Sequence, residues 1–173
     1  MASERRLAHL AASLRPPPPP ADDSHVQPEA VPLRIAFAGV HRSVMTENGS
    51  WPSNSHNWAS AFAASADTSF SVVGVYDHGS ATRDEFVGVW AERADWRVPA
   101  FDDFDDMLRR AKPDILVIGT RQTYHSSQIV RAIHAGVRGI ACDKPLVTCL
   151  SESDEIYQAF AAAQAAGKPV AFA

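Results

Sequence analysis

The sequence predicts an α/β fold in which one doubly wound parallel sheet is flanked by helices. Three observations carry that expectation. From Leu33 onward, short apolar runs of strand length alternate with stretches whose apolar residues recur at helical spacing. Those intervening stretches are long enough to serve as crossovers, which parallel strands need because a tight turn cannot return the chain in the same direction. A length of 173 residues with 46% hydrophobic residues supports one well-buried core and hence a single domain.

Taken in order, strands are expected at Leu33–Ala38, Ser71–Tyr76, Asp114–Gly119, Gly139–Cys142 and Pro169–Phe172, with a short edge piece around Arg97–Ala100. Helices are expected at about His56–Ala66, Thr82–Arg93, Phe104–Ala111, Ser126–Ala135 and Ser153–Ala166. Right-handed crossovers between such strands build a Rossmann-like sheet. In that architecture ligands lie beyond the carboxyl ends of the strands, so the loops that follow the strands are where function is sought.

Residues 1–32 have a different composition. The five prolines Pro16 to Pro20 favour an extended polyproline II conformation that cannot join a packed core. Ahead of them Leu7, Leu10 and Leu14 fall at helical spacing beside Arg5, Arg6 and Arg15. The segment reads as a disordered leader, a frayed helix followed by a linker. An organelle-import peptide is the competing reading, against which Glu4 and the lack of a long apolar centre count. Residues 33–173 are then the folded domain.

Composition removes several classes of function. A net charge of -4 from intermixed acids and bases offers no basic stripe for nucleic acid. Cys142 and Cys149 are too few for a disulfide framework and lack zinc-site spacing, and the histidines lack the close helical spacing of metal ligands, so no metal is expected. No apolar run reaches membrane-spanning length. The expectation is a cytoplasmic chain with reduced thiols and no membrane partner.

The strand ends hold the candidate chemistry. After the first strand only Gly39 of a glycine-rich phosphate turn is in place; the loop then runs through Arg42, Asn48-Gly49 and Trp51-Pro52 before a helix can begin. Free amides at that helix start, assisted by Arg42, would attract a phosphate; equally, Gly39 permits a turn and the insertion is a surface loop. The second strand ends in Asp77, where a carboxylate accepts hydrogen bonds from adenosine ribose hydroxyls and repels a 2′-phosphate, or else caps a turn. The Thr120-Arg121-Gln122-Thr123-Tyr124-His125 loop faces the same crevice, with His125 either a ligand contact or a packing residue. After the fifth strand comes Asp143-Lys144-Pro145-Leu146; proline keeps Lys144 extended, where its ammonium would meet a substrate oxygen or stand solvated.

The order of these landmarks resembles the amino-terminal domain of the Gfo/Idh/MocA oxidoreductases, over about Leu33 to Ala173. The residues that carry the resemblance are Gly39, His56, Asp77, Phe101-Asp102-Asp103-Phe104, Pro113 to Ile118, His125, Ala135-Gly136 and Asp143-Lys144-Pro145-Leu146. It implies binding of NAD or NADP, with NAD slightly favoured by Asp77, and hydride transfer at a hydroxyl or carbonyl carbon of a sugar-like substrate. Gly39, Arg42, Asp77 and Asp143 then fall at the cofactor, Thr120, Gln122 and His125 beside the nicotinamide, and Lys144 at the substrate as a catalytically supportive lysine. Three positions depart from the pattern: the glycine turn is interrupted, Asp143 replaces glutamate, and Arg121 stands where proline is usual.

Family members continue into a second α/β domain that holds the substrate, so the expectation is a nucleotide-binding half, either a fragment of a longer enzyme or one that needs another chain to complete a site. Self-association through the surface that such a half leaves uncovered would give a homo-oligomer. The alternative, from a different class, is a non-catalytic ligand-binding or interaction module that keeps the fold.

Overall fold

In the computed structural model the described residues are 31–40, 58, 59, 61, 63 and 69–173. The expected leader up to residue 30, Arg42 and most of the expected His56–Ala66 helix lie outside them; Trp58, Ala59, Ala61 and Ala63 are helical.

Among the described residues six strands, β1 (Leu33–Ala38), β2 (Phe70–Tyr76), β3 (Ala100–Phe101), β4 (Ile115–Ile118), β5 (Gly139–Cys142) and β6 (Ala171–Phe172), form one sheet in the order β3-β2-β1-β4-β5-β6. Every neighbouring pair is parallel. The order reverses at β1, which pairs with β2 on one side and β4 on the other, the doubly wound arrangement expected from the alternating runs. The edge strand lies at Ala100–Phe101, past the expected Arg97–Ala100, because Val75 and Tyr76 pair with those two residues. The last strand begins two residues after Pro169, a residue with no N–H to give to a ladder.

Past residue 69, four helices follow strands or turns: α1 (Ser80–Ala94), α2 (Phe104–Ala111), α3 (Gln122–His134) and α4 (Leu150–Ala165). For α2 the local reasons are explicit. Asp103 caps it by accepting the Asp106 N–H at 2.7 Å, Asp105 and Asp106 sit in its first turn, and Arg109 and Arg110 in its last. Three helices start earlier than their apolar spacing suggests, α1 by two residues, at Ser80 rather than Thr82. α3 begins at Gln122 rather than Ser126, after an extended Arg121, and α4 begins at Leu150 rather than Ser153. In α4 the reason is Glu152, whose carboxylate accepts the N–H groups of Thr148 at 2.5 Å and Cys149 at 3.4 Å and so caps from inside the first turn.

Strand alternation divides the core between the two faces of the sheet. Ala36, Ala38, Leu116, Ile118 and Ile140 pack under α2, α3 and α4, while Ile35, Phe37, Val75 and Val117 pack against Phe86 and Trp90 of α1. Residues 31–173 form one compact unit. No helix among the described residues is long and apolar enough to cross a membrane.

Candidate functional site

Where the strand order reverses, the loops after β1 and β4 come into backbone contact. Gly39 adopts φ +78, and a Cβ placed on it would stand 2.2 Å from the Thr120 nitrogen and 2.5 Å from the Gly119 carbonyl carbon. Only glycine fits there, for its conformation and for the close approach. The junction is tied on both sides: the Gly39 N–H donates to the Tyr76 carbonyl at 2.8 Å and the Gly119 N–H to the Ala38 carbonyl at 2.7 Å.

Beside this floor stands Asp77, half-buried at the end of β2. Its Oδ2 accepts the Val40 N–H at 2.9 Å and its Oδ1 the Gly79 N–H at 3.1 Å. The carboxylate thus fixes the start of the β1 loop and still has lone pairs for two further donors. Arg83 turns its Nη1 to the backbone carbonyls of Asp77, at 2.5 Å, and His78, at 3.3 Å, bracing the turn from behind.

A row of rings forms the next wall. Tyr76, packed edge-on against Phe104 at 5.4 Å, meets His78 at 5.4 Å, and His78 meets Tyr124 at 5.3 Å. Burial raises the Tyr76 hydroxyl above the ordinary tyrosine value, so it remains a proton carrier 3.1 Å from His78 Nε2. His78 and Tyr124 are exposed at the rim. Together with Gly39, Asp77, Thr120 and Arg121 they bound a cleft of about 450 Å³.

A larger cavity, about 720 Å³, lies between α2 and α3 at the opposite end of the strands, lined by Arg109, Lys112, Asp114, Arg131 and His134. Size favours it, but chemistry favours the smaller cleft. In the larger one Arg131 is paired with Asp105 and Asp114 with Arg138, whereas the smaller one sits at the carboxyl ends of the strands with an aimed carboxylate.

The sequence-predicted residues divide between this cleft and its surroundings. Gly39, Asp77 and Thr120 line the cleft. The Thr120 hydroxyl turns inward and donates to Gln128 Oε1 at 2.6 Å. Gln122 is exposed in the first turn of α3 and does not line the cleft. His125 is buried, with Nδ1 2.9 Å from the Pro145 carbonyl and Nε2 2.9 Å from the Thr120 carbonyl, so it packs between two loops. The helical start at Gln122 is the reason: it points Tyr124 outward and the next residue inward. Asp143 uses Oδ1 to accept the Lys144 N–H at 2.7 Å, and its own N–H donates to the Ile118 carbonyl at 2.9 Å. Lys144 is exposed on the turn after β5, outside the cleft lining, and its peptide bond to Pro145 is cis. Arg42 lies outside the described residues. Sequence reasoning assigned no role to Tyr124; the signal was an aromatic residue at a helix start facing the strand end that carries Asp77.

A family model described as an oxidoreductase family with an NAD-binding Rossmann fold, Gfo/Idh/MocA, matches residues 33–171. A Bacillus subtilis protein named as an oxidoreductase, YteT, is 33% identical over 64 residues, 36% of this chain and 15% of that protein. Among solved structures, the WlbA dehydrogenase of Chromobacterium violaceum, in complex with NADH and UDP-GlcNAcA, superposes with a TM-score of 0.62 at 23% identity. The match covers 82% of this chain and 35% of that one. The apo scyllo-inositol dehydrogenase of Lactobacillus casei superposes with a TM-score of 0.61 at 20% identity, over 84% of this chain and 37% of that one. These likenesses show the fold, and the chain spans little more than a third of the length of those enzymes.

Proposed function

The chain belongs to the Gfo/Idh/MocA oxidoreductase family, with its NAD-binding Rossmann fold, and from that premise we propose that its cleft beyond β1, β2 and β4 holds the adenosine end of NAD in preference to NADP. The carrying observation is the Asp77 carboxylate, aimed by the Val40 and Gly79 amides beside the backbone contact at Gly39. Its remaining lone pairs suit the two ribose hydroxyls. Its charge opposes a 2′-phosphate, and Arg83 is turned to backbone carbonyls instead of offsetting that charge. The exposed faces of His78 and Tyr124 suit a planar base. The residues present therefore fit the adenosine half of the dinucleotide.

The bound dinucleotide would supply hydride chemistry at its nicotinamide ring. The part played by this chain would be to orient the cofactor through Gly39, Asp77 and Thr120 and to present Lys144 to a hydroxyl or carbonyl oxygen of a sugar-like substrate. Asp143 supports that role by holding the Lys144 backbone N–H. Gln122 and Asp143 would border the nicotinamide side, and His125 would act through the loops it bonds. Substrate capture would fall to a second domain or another chain.

Titration with NADH and NADPH, followed by energy transfer from the tryptophans, tests this reading. Saturable NADH binding that Asp77→Ala weakens by roughly 100-fold or more is expected, the loss of two charge-assisted hydrogen bonds at about 1.5 kcal/mol each. Folded protein that binds neither nucleotide would leave the non-catalytic module as the reading.

A further inference from the structure

His125 is 1% exposed, and its ring reaches in two directions at once. Nδ1 faces the carbonyl oxygen of Pro145 and Nε2 that of Thr120, each at 2.9 Å. Thr120 lines the nucleotide cleft; Pro145 follows Lys144. The two turns leave neighbouring parallel strands, β4 and β5, and the Asp143 N–H to Ile118 carbonyl bond joins the strands as they end. Past that bond, among the described residues, the imidazole is the side chain that bonds both turns.

A carbonyl oxygen only accepts, so each contact is a hydrogen bond only when the facing nitrogen carries a proton. A neutral imidazole has one N–H; it satisfies one carbonyl and turns a lone pair toward the other. The ring with two protons satisfies both. We propose that His125 is a positioning residue, a proton-dependent tie that joins the turn carrying Lys144 to the lip of the nucleotide cleft through two backbone carbonyls. What the tie is for rests on the cofactor and Lys144 reading above, whereas the tie itself does not.

Charged and polar groups stand near the ring on the elements packed against it. On α4, Glu152 is held below the usual glutamate range, first by the N–H and hydroxyl of Thr148 and in smaller part by the charge of His125. Asp143 and Lys144 lie on the bonded turn, Arg121 stands just before α3 and Tyr124 precedes the ring on that helix. Its other close neighbours on that helix, Ser126 and Gln128, are buried and neutral. With two protons the ring holds the Lys144 turn against the cleft lip. With one proton it releases one of the two carbonyls, and the turn is free to move relative to the cleft.

The test is isotope-edited NMR of the full 173-residue chain, following the His125 ring and the backbone amides of Thr120, Lys144 and Leu146 through a pH titration without nucleotide. The amides on both turns should inflect at the ring's own midpoint, and the inflection should vanish in His125→Gln while Glu152→Gln retains it. Turn amides that ignore the ring, or that keep the inflection in His125→Gln, overturn the proposal. Should that variant not fold, the wild-type titration decides alone. In a second arm, NADH added below the ring's midpoint should shift the Lys144 and Leu146 amides together with those of Gly39 and Thr120. Above the midpoint the response of the turn should drop at least about fivefold. Cleft amides that respond while the turn stays silent at every pH refute the coupling. NADH that moves no cleft amide removes the cofactor reading instead, and the first arm still judges the tie.

Discussion

Replacing Gly39 by alanine tests the claim that the floor of the cleft is made by two backbones in contact, and Gly136→Ala is its built-in control. Both glycines have positive φ, +78 and +88, so both substitutions force an L side chain into the left-handed region, at a cost of about 1–2 kcal/mol. They differ in what the new methyl meets. At Gly136 nothing lies within 4 Å, whereas at Gly39 the Cβ would stand 2.2 Å from the Thr120 nitrogen and 2.5 Å from the Gly119 carbonyl carbon.

Those neighbours are main-chain atoms, so relief requires the β1 and β4 loops to part by roughly 1 Å, an overpacking strain of about 1–3 kcal/mol or more. Such a movement also stretches the Gly119 N–H to Ala38 carbonyl bond. Gly39→Ala should therefore cost roughly 2–5 kcal/mol and Gly136→Ala about 1–2 kcal/mol. The gap of about 1–3 kcal/mol corresponds to roughly 3–9 °C in Tm for a domain of this size. Urea denaturation of both variants measures the gap directly, and NADH titration at low temperature should find binding weakened only in Gly39→Ala. Equal losses of stability, within about 0.5 kcal/mol, would show that the two loops do not meet as described.

Three further outcomes can be measured. Burial, with the charge of Asp143 adding to it, pushes the Cys142 thiol up to about 12, while Cys149 is exposed. At pH 8 about one Cys142 in 10⁴ would be thiolate, so iodoacetamide should label Cys149 and spare Cys142 until the protein is unfolded. Comparable labelling of both, by peptide mass spectrometry, would contradict the burial. Asp114 is held below the ordinary carboxylate value, first by the Arg34 N–H at 2.9 Å and then by Arg138 at 2.7 Å. Its stabilising contribution is therefore present above the unfolded value of about 3.9 and is lost as pH falls through the folded one. Asp114→Asn should lower the urea midpoint at pH 7 and differ less from wild type at pH 3; a gap independent of pH would sink this account. Finally, Tyr124→Ala should weaken NADH roughly 5- to 10-fold if the base rests on the rim aromatics, and unchanged affinity would place the base elsewhere.

What could be read without a structure was whatever depends on local pattern. The runs Leu33–Ala38 and Gly139–Cys142 and the helix Phe104–Ala111 coincide with β1, β5 and α2, because apolar period and capping residues such as Asp103 are properties of short segments. Glycine after β1 and an acid after β2 were likewise legible, since a strand end is where such residues face a ligand. The starts of α3 and α4 were not. Gln122, Thr123 and Tyr124 carry little helix signal, and the cap on α4 comes from Glu152 inside the helix.

Partnership between distant residues belongs to the tertiary structure alone. Spacing does not say that Asp77 will spend one oxygen on the Val40 amide, that Gly39 is required by Thr120, or that His125 will turn inward to Pro145 while Tyr124 turns out to His78. Each of these pairs is brought together by the order in which parallel strands sit side by side. That order is settled by the packing of the whole sheet, and no one segment encodes it.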